Sequence, residues 1–302
     1  MKRVNFIVLI VLLLVVLLNC LNRKDYNDIG FAGEPAWGLN NQIAIIYTPI
    51  RIIDNDTIWD EDASGLWLIK PDGSNMRLLT VGNYDTPDWS SDSKWIVCSD
   101  LIGKLWRINI KNRTVAQISV PIRAWHGVFM PCGQKIVFAA PDSSQFGQRG
   151  IYEITLSDST PRFIFPCGSE PNVSPDGTMI VFSGWLWMNN EWRGGIIVTD
   201  SIGNNARIII EVWQQYALHN PTFSPDGLKI CFDTGGADPE VWIINIDGTD
   251  LRKVIENGRM PSFSPDGEKI VYQRWSFLWR LSDQGKLWIV NIDGSDNHQL
   301  TF

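Results

Sequence analysis

Apolar residues along this chain fall into two kinds of run. One is a single unbroken stretch near the start, Phe6 to Leu18. Everything after it is short: "KIVF" at 135–138, "KICF" at 229–232 and "KIVY" at 269–272, each bounded by turn residues. Such runs are rich in β-branched and aromatic side chains, and none continues with a 3.6-residue period, so they predict strands rather than helices.

The runs recur within a phrase. "PTFSPDGLKICF" at 221 returns as "PSFSPDGEKIVY" at 261, and looser copies stand at 171 ("PNVSPDGTMIVF"), 127 ("GVFMPCGQKIVF"), 87 ("PDWSSDSKWIVC") and 35 ("PAWGLNNQIAIIY"). A second phrase follows each copy, from "GLWLIKPDGSNMRLLT" at 65 to "KLWIVNIDGSDNHQLTF" at 286. Ser-Pro-Asp-Gly is a tight turn: serine bonds the backbone, proline presets φ, and glycine accepts the conformation that follows. It joins a strand ending in an aromatic residue (Trp37, Trp89, Phe129, Phe223, Phe263) to the apolar run after it. Asp-Gly at 72–73, 247–248 and 293–294 turns a second hairpin. Four strands therefore recur six times at a spacing of about 40 to 50 residues, the signature of a propeller or a solenoid.

With "SPDG" intact in its last three units, the chain resembles the TolB-type propellers with WD40-like PD40 repeats, from about residue 31 to 302. The α/β domain that precedes the TolB propeller has no counterpart here. The resemblance implies an all-β fold, a six-bladed propeller of four-stranded antiparallel blades. The blades fall at about 31–80, 81–119, 120–165, 166–210, 211–255 and 256–302, after a leader (1–20) and a linker (21–30).

The leader pairs a basic "MKR" with thirteen apolar residues, the length of a signal-peptide core and short for a spanning helix. It ends in "LLNC", which resembles a bacterial lipoprotein box, making Cys20 the expected lipidation site; Asn19 departs from the small residue that the pattern prefers. The alternative is an uncleaved N-terminal anchor. Either way the domain is exported and tethered to a membrane through its N-terminus, in a bacterial envelope, facing the periplasm or as an outer-membrane lipoprotein. Cys98 and Cys231 occupy strand positions and read as core residues, Cys132 and Cys167 fall in turns, and no disulfide is expected.

A net charge of -7 with no basic stripe excludes a nucleic-acid partner. No G-x-S-x-G elbow and no phosphate-cradling glycine loop are present. No cofactor is expected, although Asp54, Asp56 and Asp60, beside Glu61 and Asp62, offer hard oxygen ligands for calcium without the EF-hand spacing.

Tryptophan changes the picture. Of 15, seven hold repeat positions; the other eight, Trp59, Trp125, Trp185, Trp187, Trp192, Trp213, Trp275 and Trp279, fall in the connections expected on one face of the disc. In "QRWSFLWRL" the period of two puts Trp275, Phe277 and Trp279 on one side of an extended hairpin, and Trp185 and Trp187 share a side before an Asn189-Asn190 turn. These aromatics are the candidate partner surface. The residues just before each inner strand, Glu34, Thr86, His126, Glu170, Asn220 and Met260, with His219 alongside, form a ring at the channel mouth, spread around it rather than converging.

The expected function is a non-catalytic exported binding scaffold that takes an envelope protein or peptide on its long-loop face. A carbohydrate-binding or glycan-cleaving propeller is the alternative, since stacked tryptophans suit sugar faces, with Glu34, His126, Glu170 and His219 as its catalytic candidates.

Overall fold

The computed structural model of the chain describes residues 30–53, 56–141, 149–212, 217–275 and 285–301. These build six antiparallel sheets, each from strands consecutive in sequence. The inner strands are Gly30–Trp37, Tyr84–Trp89, Trp125–Phe129, Gly168–Val173, Leu218–Phe223 and Gly258–Phe263. From each, three further strands step outward, as in blade 4 through Met179–Met188, Glu191–Asp200 and Arg207–Glu211. Blade 1 carries an extra strand, Asp56–Trp59, paired with the far end of its second strand, Ile43–Ile53. The chain is a six-bladed β-propeller. Among the described residues no helix is long and apolar enough to cross a membrane.

Turn chemistry sets the hairpins. In the last three blades the Ser174, Ser224 and Ser264 hydroxyls bond the aspartate two residues on, and Gly177, Gly227 and Gly267 take φ of 71° to 74°. Because successive strands are antiparallel, these turns and the Asp-Gly turns share one face. The connections from second to third strand, and those between blades, share the other.

No blade has a core of its own. The apolar clusters lie between neighbours: Ile136 and Phe138 of blade 3 pack with Val97 and Leu105 of blade 2, and the same arrangement recurs around the disc. The last seam, between blades 6 and 1, is closed in the same way, with Val271, Leu287 and Ile289 against Ala32, Ile43 and Tyr47. Polar contacts pin it: Ala32 N–H donates to the Gly285 carbonyl at 2.6 Å, and the fully buried Gln273 amide donates to the Ala32 carbonyl at 2.6 Å.

Candidate functional site

Every inner strand is interrupted by a bulge. At the interruption stands a residue in the left-handed region: Glu34 (φ 53°), Thr86 (48°), His126 (51°), Glu170 (53°), Asn220 (50°) and Met260 (53°). Proline follows in five of the six. A bulge leaves one residue without a ladder partner, and proline at that place removes the N–H that would otherwise be orphaned. The six residues expected just before the inner strands therefore lie within them. The following proline marks a bulge and not a strand boundary.

The six line a cavity of about 340 Å³ that runs along the axis to the Ser-Pro turns, past Pro175, Pro225 and Pro265. Three of their peptide N–H groups are held by the blade before. Glu34 accepts the Thr86 N–H at 2.6 Å, Glu170 the Asn220 N–H at 2.9 Å, and Asp233 the Met260 N–H at 2.8 Å. A second tier of stitches sits two residues on. Asp88 accepts the Phe129 N–H at 2.8 Å, Asn172 the Phe223 N–H at 3.0 Å, and Ser262 the Trp37 N–H at 3.1 Å.

These contacts bury charge. Burial raises Glu34 well above the usual carboxylate range, and its neighbour Asp85 adds to the shift. Burial likewise pushes Asp88 and Asp233 up to about 7, against the hydrogen bonds that each accepts. Burial holds His126 below the ordinary imidazole value. Glu170 moves the other way: burial would raise it, but the hydrogen bond and charge of His219 and the Asn220 N–H outweigh this and leave it low. His219 is raised, first by that same hydrogen bond.

His219 Nδ1 stands 3.1 Å from Glu170 Oε1, so these two, from blades 5 and 4, do converge, contrary to the expectation that the ring residues stay apart. Glu170 also takes the Ser183 hydroxyl at 3.1 Å. Its oxygens are committed to holding blades together.

Across the axis from blade 1, blade 4 extends beyond the disc. Residues 186 to 193 pair only with each other, in the register Leu186↔Arg193, Trp187↔Trp192 and Met188↔Glu191, beyond a last rung, Trp185↔Gly194, that still bonds Cys167 and Val212. Asn189 and Asn190 turn the ribbon at φ of 50° and 64°, the left-handed pair that a two-residue hairpin turn demands. Trp185, Trp187 and Trp192 share one side of it, 49%, 55% and 53% exposed. The Trp187 and Trp192 rings meet edge to face at 5.4 Å, and the Trp185 ring lies over Gly194, where a Cβ would crowd it. The other side is tied down: Leu186 packs on the core between blades 3 and 4, and Arg193 bridges Glu191 and Glu211.

The remaining aromatics are dispersed. Trp59 is half exposed and ends a strand instead of lying in a loop. Trp125 opens an inner strand, half-buried against Gly103, and so is not a loop residue either. Trp275 is half-buried under the Arg259 guanidinium, 4.0 Å from its ring centre. Trp213, Phe277 and Trp279 lie outside the described residues, as do Cys20 and Asp54. Asp56 opens the extra strand of blade 1, and Asp60 beyond it is buried. Among the described residues no three His, Cys, Asp or Glu side chains are grouped as metal ligands.

Sequence reasoning missed the stitching residues. Asp88, Asn172 and Ser262 all stand between proline and the last residue of the inner strand, and Ser99, Ser183, Asp233 and Gln273 follow the apolar run of the second strand. A polar residue recurring inside an apolar phrase was the available signal.

No family model and no curated protein matches the chain by sequence. Solved structures do match by shape. TolB from Acinetobacter baumannii aligns with a TM-score of 0.64 at 17% identity, covering 90% of this chain and 79% of that one. A protein described as a TolB, from Agrobacterium tumefaciens, aligns at 0.61 and 20% identity over 75% and 84%. An oligogalacturonate lyase in complex with manganese aligns at 0.57 and 12% over 91% and 78%. At these identities the likeness concerns architecture alone: the chain is a six-bladed propeller of the kind that TolB proteins share.

Proposed function

We propose that this chain is a non-catalytic exported scaffold of the bacterial envelope that binds a protein or peptide on its loop face. The observation that carries the reading is the blade 4 ribbon. Three half-exposed indoles on one braced side leave roughly 300–400 Å² of aromatic surface in water, as large as the apolar patches that mark contact sites. A chain that folded only to close a disc has no use for residues 186 to 193 projecting past its inner and outer strands. Trp275, propped by Arg259, is a secondary anchor on the same face.

The test is envelope crosslinking followed by quantitative recovery of partners, comparing wild type with Trp187→Ala and with the pair Trp185→Ala plus Trp275→Ala. An indole at the centre of an interface contributes about 2 kcal/mol or more, so each variant is expected to weaken capture by roughly thirtyfold. An unchanged partner set removes the anchors.

The second reading, glycan cleavage, has one observation in its favour: Glu170 and His219 lie within hydrogen-bond distance beside the channel. Supporting the scaffold instead, Glu170 is a lowered, triply bonded carboxylate and a poor base. Oligogalacturonate incubated with the protein, and followed by ultraviolet absorbance of unsaturated ends, separates the two. Turnover abolished by His219→Gln would make the chain an enzyme.

A further inference from the structure

The loop face carries a second exposed apolar feature, away from the ribbon, on the blade next to the one where the chain enters the disc. Residues 101 to 104 of blade 2 link its second and third strands in a four-residue turn. The Asp100 carboxylate holds this turn rigid, accepting the N–H groups of Ile102 at 3.0 Å and Lys104 at 2.9 Å and the Trp106 indole N–H at 2.9 Å. Leu101 and Ile102, at the tip, are 69% and 61% exposed. Such bracing keeps two aliphatic side chains in water that a looser turn would let fold back onto the surface.

The surroundings specify what would cover them. Gly103 sits against Arg123 and Trp125, so Arg123 flanks the tip, and Lys104 closes the turn; both are exposed. Neither makes an ion pair among the described residues. Blade 1, next around the ring, adds half-exposed Val81 and Trp59 on the same face. An aliphatic tip collared by two cations, on a chain of net charge -7, matches a layer with phosphates at its surface and hydrocarbon beneath.

The N-terminus points the same way. Gly30 begins the first inner strand, and inner strands start at the loop face. Nine residues, 21 to 29, separate it from Cys20, and the apolar run Phe6–Leu18 precedes that. Ten steps from Cys20 to Gly30 span at most about 36 Å, so a membrane-held Cys20 keeps the loop face at the start of blade 1 within that distance of the lipid.

The geometry points to a lipid-contact edge: Leu101 and Ile102 seat in the bilayer interface, Lys104 and Arg123 pair with lipid phosphates, and Trp59 and Val81 extend the contact. The disc then leans on its blade 2 side, and the blade 4 ribbon, farther around the ring, stays open to its partner. The assignment rests on the exported, membrane-held part of the proposed function and not on protein binding by the ribbon, because the residues differ.

The fold contains its own control. Asp200-Ser-Ile-Gly-Asn repeats the Asp100-Leu-Ile-Gly-Lys turn, with the same carboxylate bonds, on the opposite face, where Ile202 is equally exposed. The full-length protein, in vesicles of phosphatidylethanolamine and phosphatidylglycerol carrying a photoactivatable phospholipid, is irradiated, and the adducts are mapped by mass spectrometry. Adducts are expected on the peptide bearing Leu101 and Ile102 and not on that bearing Ile202. Leu101→Ser with Ile102→Ser reduces them about tenfold or more, from the apolar area withdrawn. Lys104→Ser with Arg123→Ser abolishes the preference for phosphatidylglycerol over purely zwitterionic vesicles. Adducts confined to the leader, or equal at Ile202, overturn the assignment. Adducts on the ribbon as well uphold lipid contact and sink the ribbon's role in protein binding.

Discussion

Asp88 offers a test of how the blades are held together. It is half-buried between blades 2 and 3, where it accepts the Phe129 N–H, and burial lifts its carboxyl to about 7. A carboxyl whose folded value lies above its unfolded one favours folding when neutral. Its penalty is therefore absent at low pH and grows as pH rises from near 4 toward 7. A lift of about three units corresponds to about 4 kcal/mol once the group is ionised in both states, and roughly 2–3 kcal/mol of this accrues between about pH 5 and pH 8. Asn172 holds the same repeat position in blade 4 and makes the same bond, to Phe223 N–H at 3.0 Å. Asp88→Asn should therefore keep the stitch and discard the charge. Its amide hydrogens need acceptors, which offsets about 1–3 kcal/mol. The expected signature is the trend: the stability of Asp88→Asn relative to wild type, from urea unfolding, climbs by roughly 2–3 kcal/mol between about pH 5 and pH 8. Glu34, Asp233, Glu170 and His219 titrate in both proteins and cancel in the difference. A flat difference, or one that falls with pH, would show that Asp88 is charged and content in the folded protein, and the reasoning fails.

Three further outcomes follow from the same structure. Gln273→Ala removes the buried amide that joins blades 6 and 1 and leaves the Ala32 carbonyl short of a donor; a loss of about 1–3 kcal/mol, read as a lower Tm, is expected. Gly195→Ala places a Cβ 2.1 Å from the Ile210 carbonyl, and a cost of about 1–3 kcal/mol should show in denaturant midpoints, with no change in the slope. Trp192→Ala, on the open side of the ribbon, removes the edge-to-face contact with Trp187 and should cost no more than about 1.5 kcal/mol of stability; a larger drop would mean that the indole is packed instead of presented.

Much of the fold could be read from the sequence because its turns are local chemistry. Ser174, Asp176 and Gly177 declare their hairpin within four residues, and the same phrase repeated elsewhere did the rest. The Asn189-Asn190 turn was legible for the same reason. The channel was harder. Glu170 and His219 stand 49 residues apart, and nothing local shows that a side chain from one blade closes on the next. Glu34 and Glu170 read as standing just before their inner strands, since nothing local reveals the bulge that places them inside. Trp192 was counted among the loop aromatics, but its place opposite Trp187 emerges only from the register of the ribbon.

Every seam in this disc is built by two neighbours, the seam between blades 6 and 1 included. Excising a single blade would bare two apolar flanks at once, so the number of repeats can change only by whole units that reseal the circle. The outer part of the blade 4 ribbon and the aliphatic tip of blade 2 project beyond those seams. They can be lengthened, recoloured or exchanged while the circle beneath them stays shut, which makes them the places where such a molecule acquires new attachments.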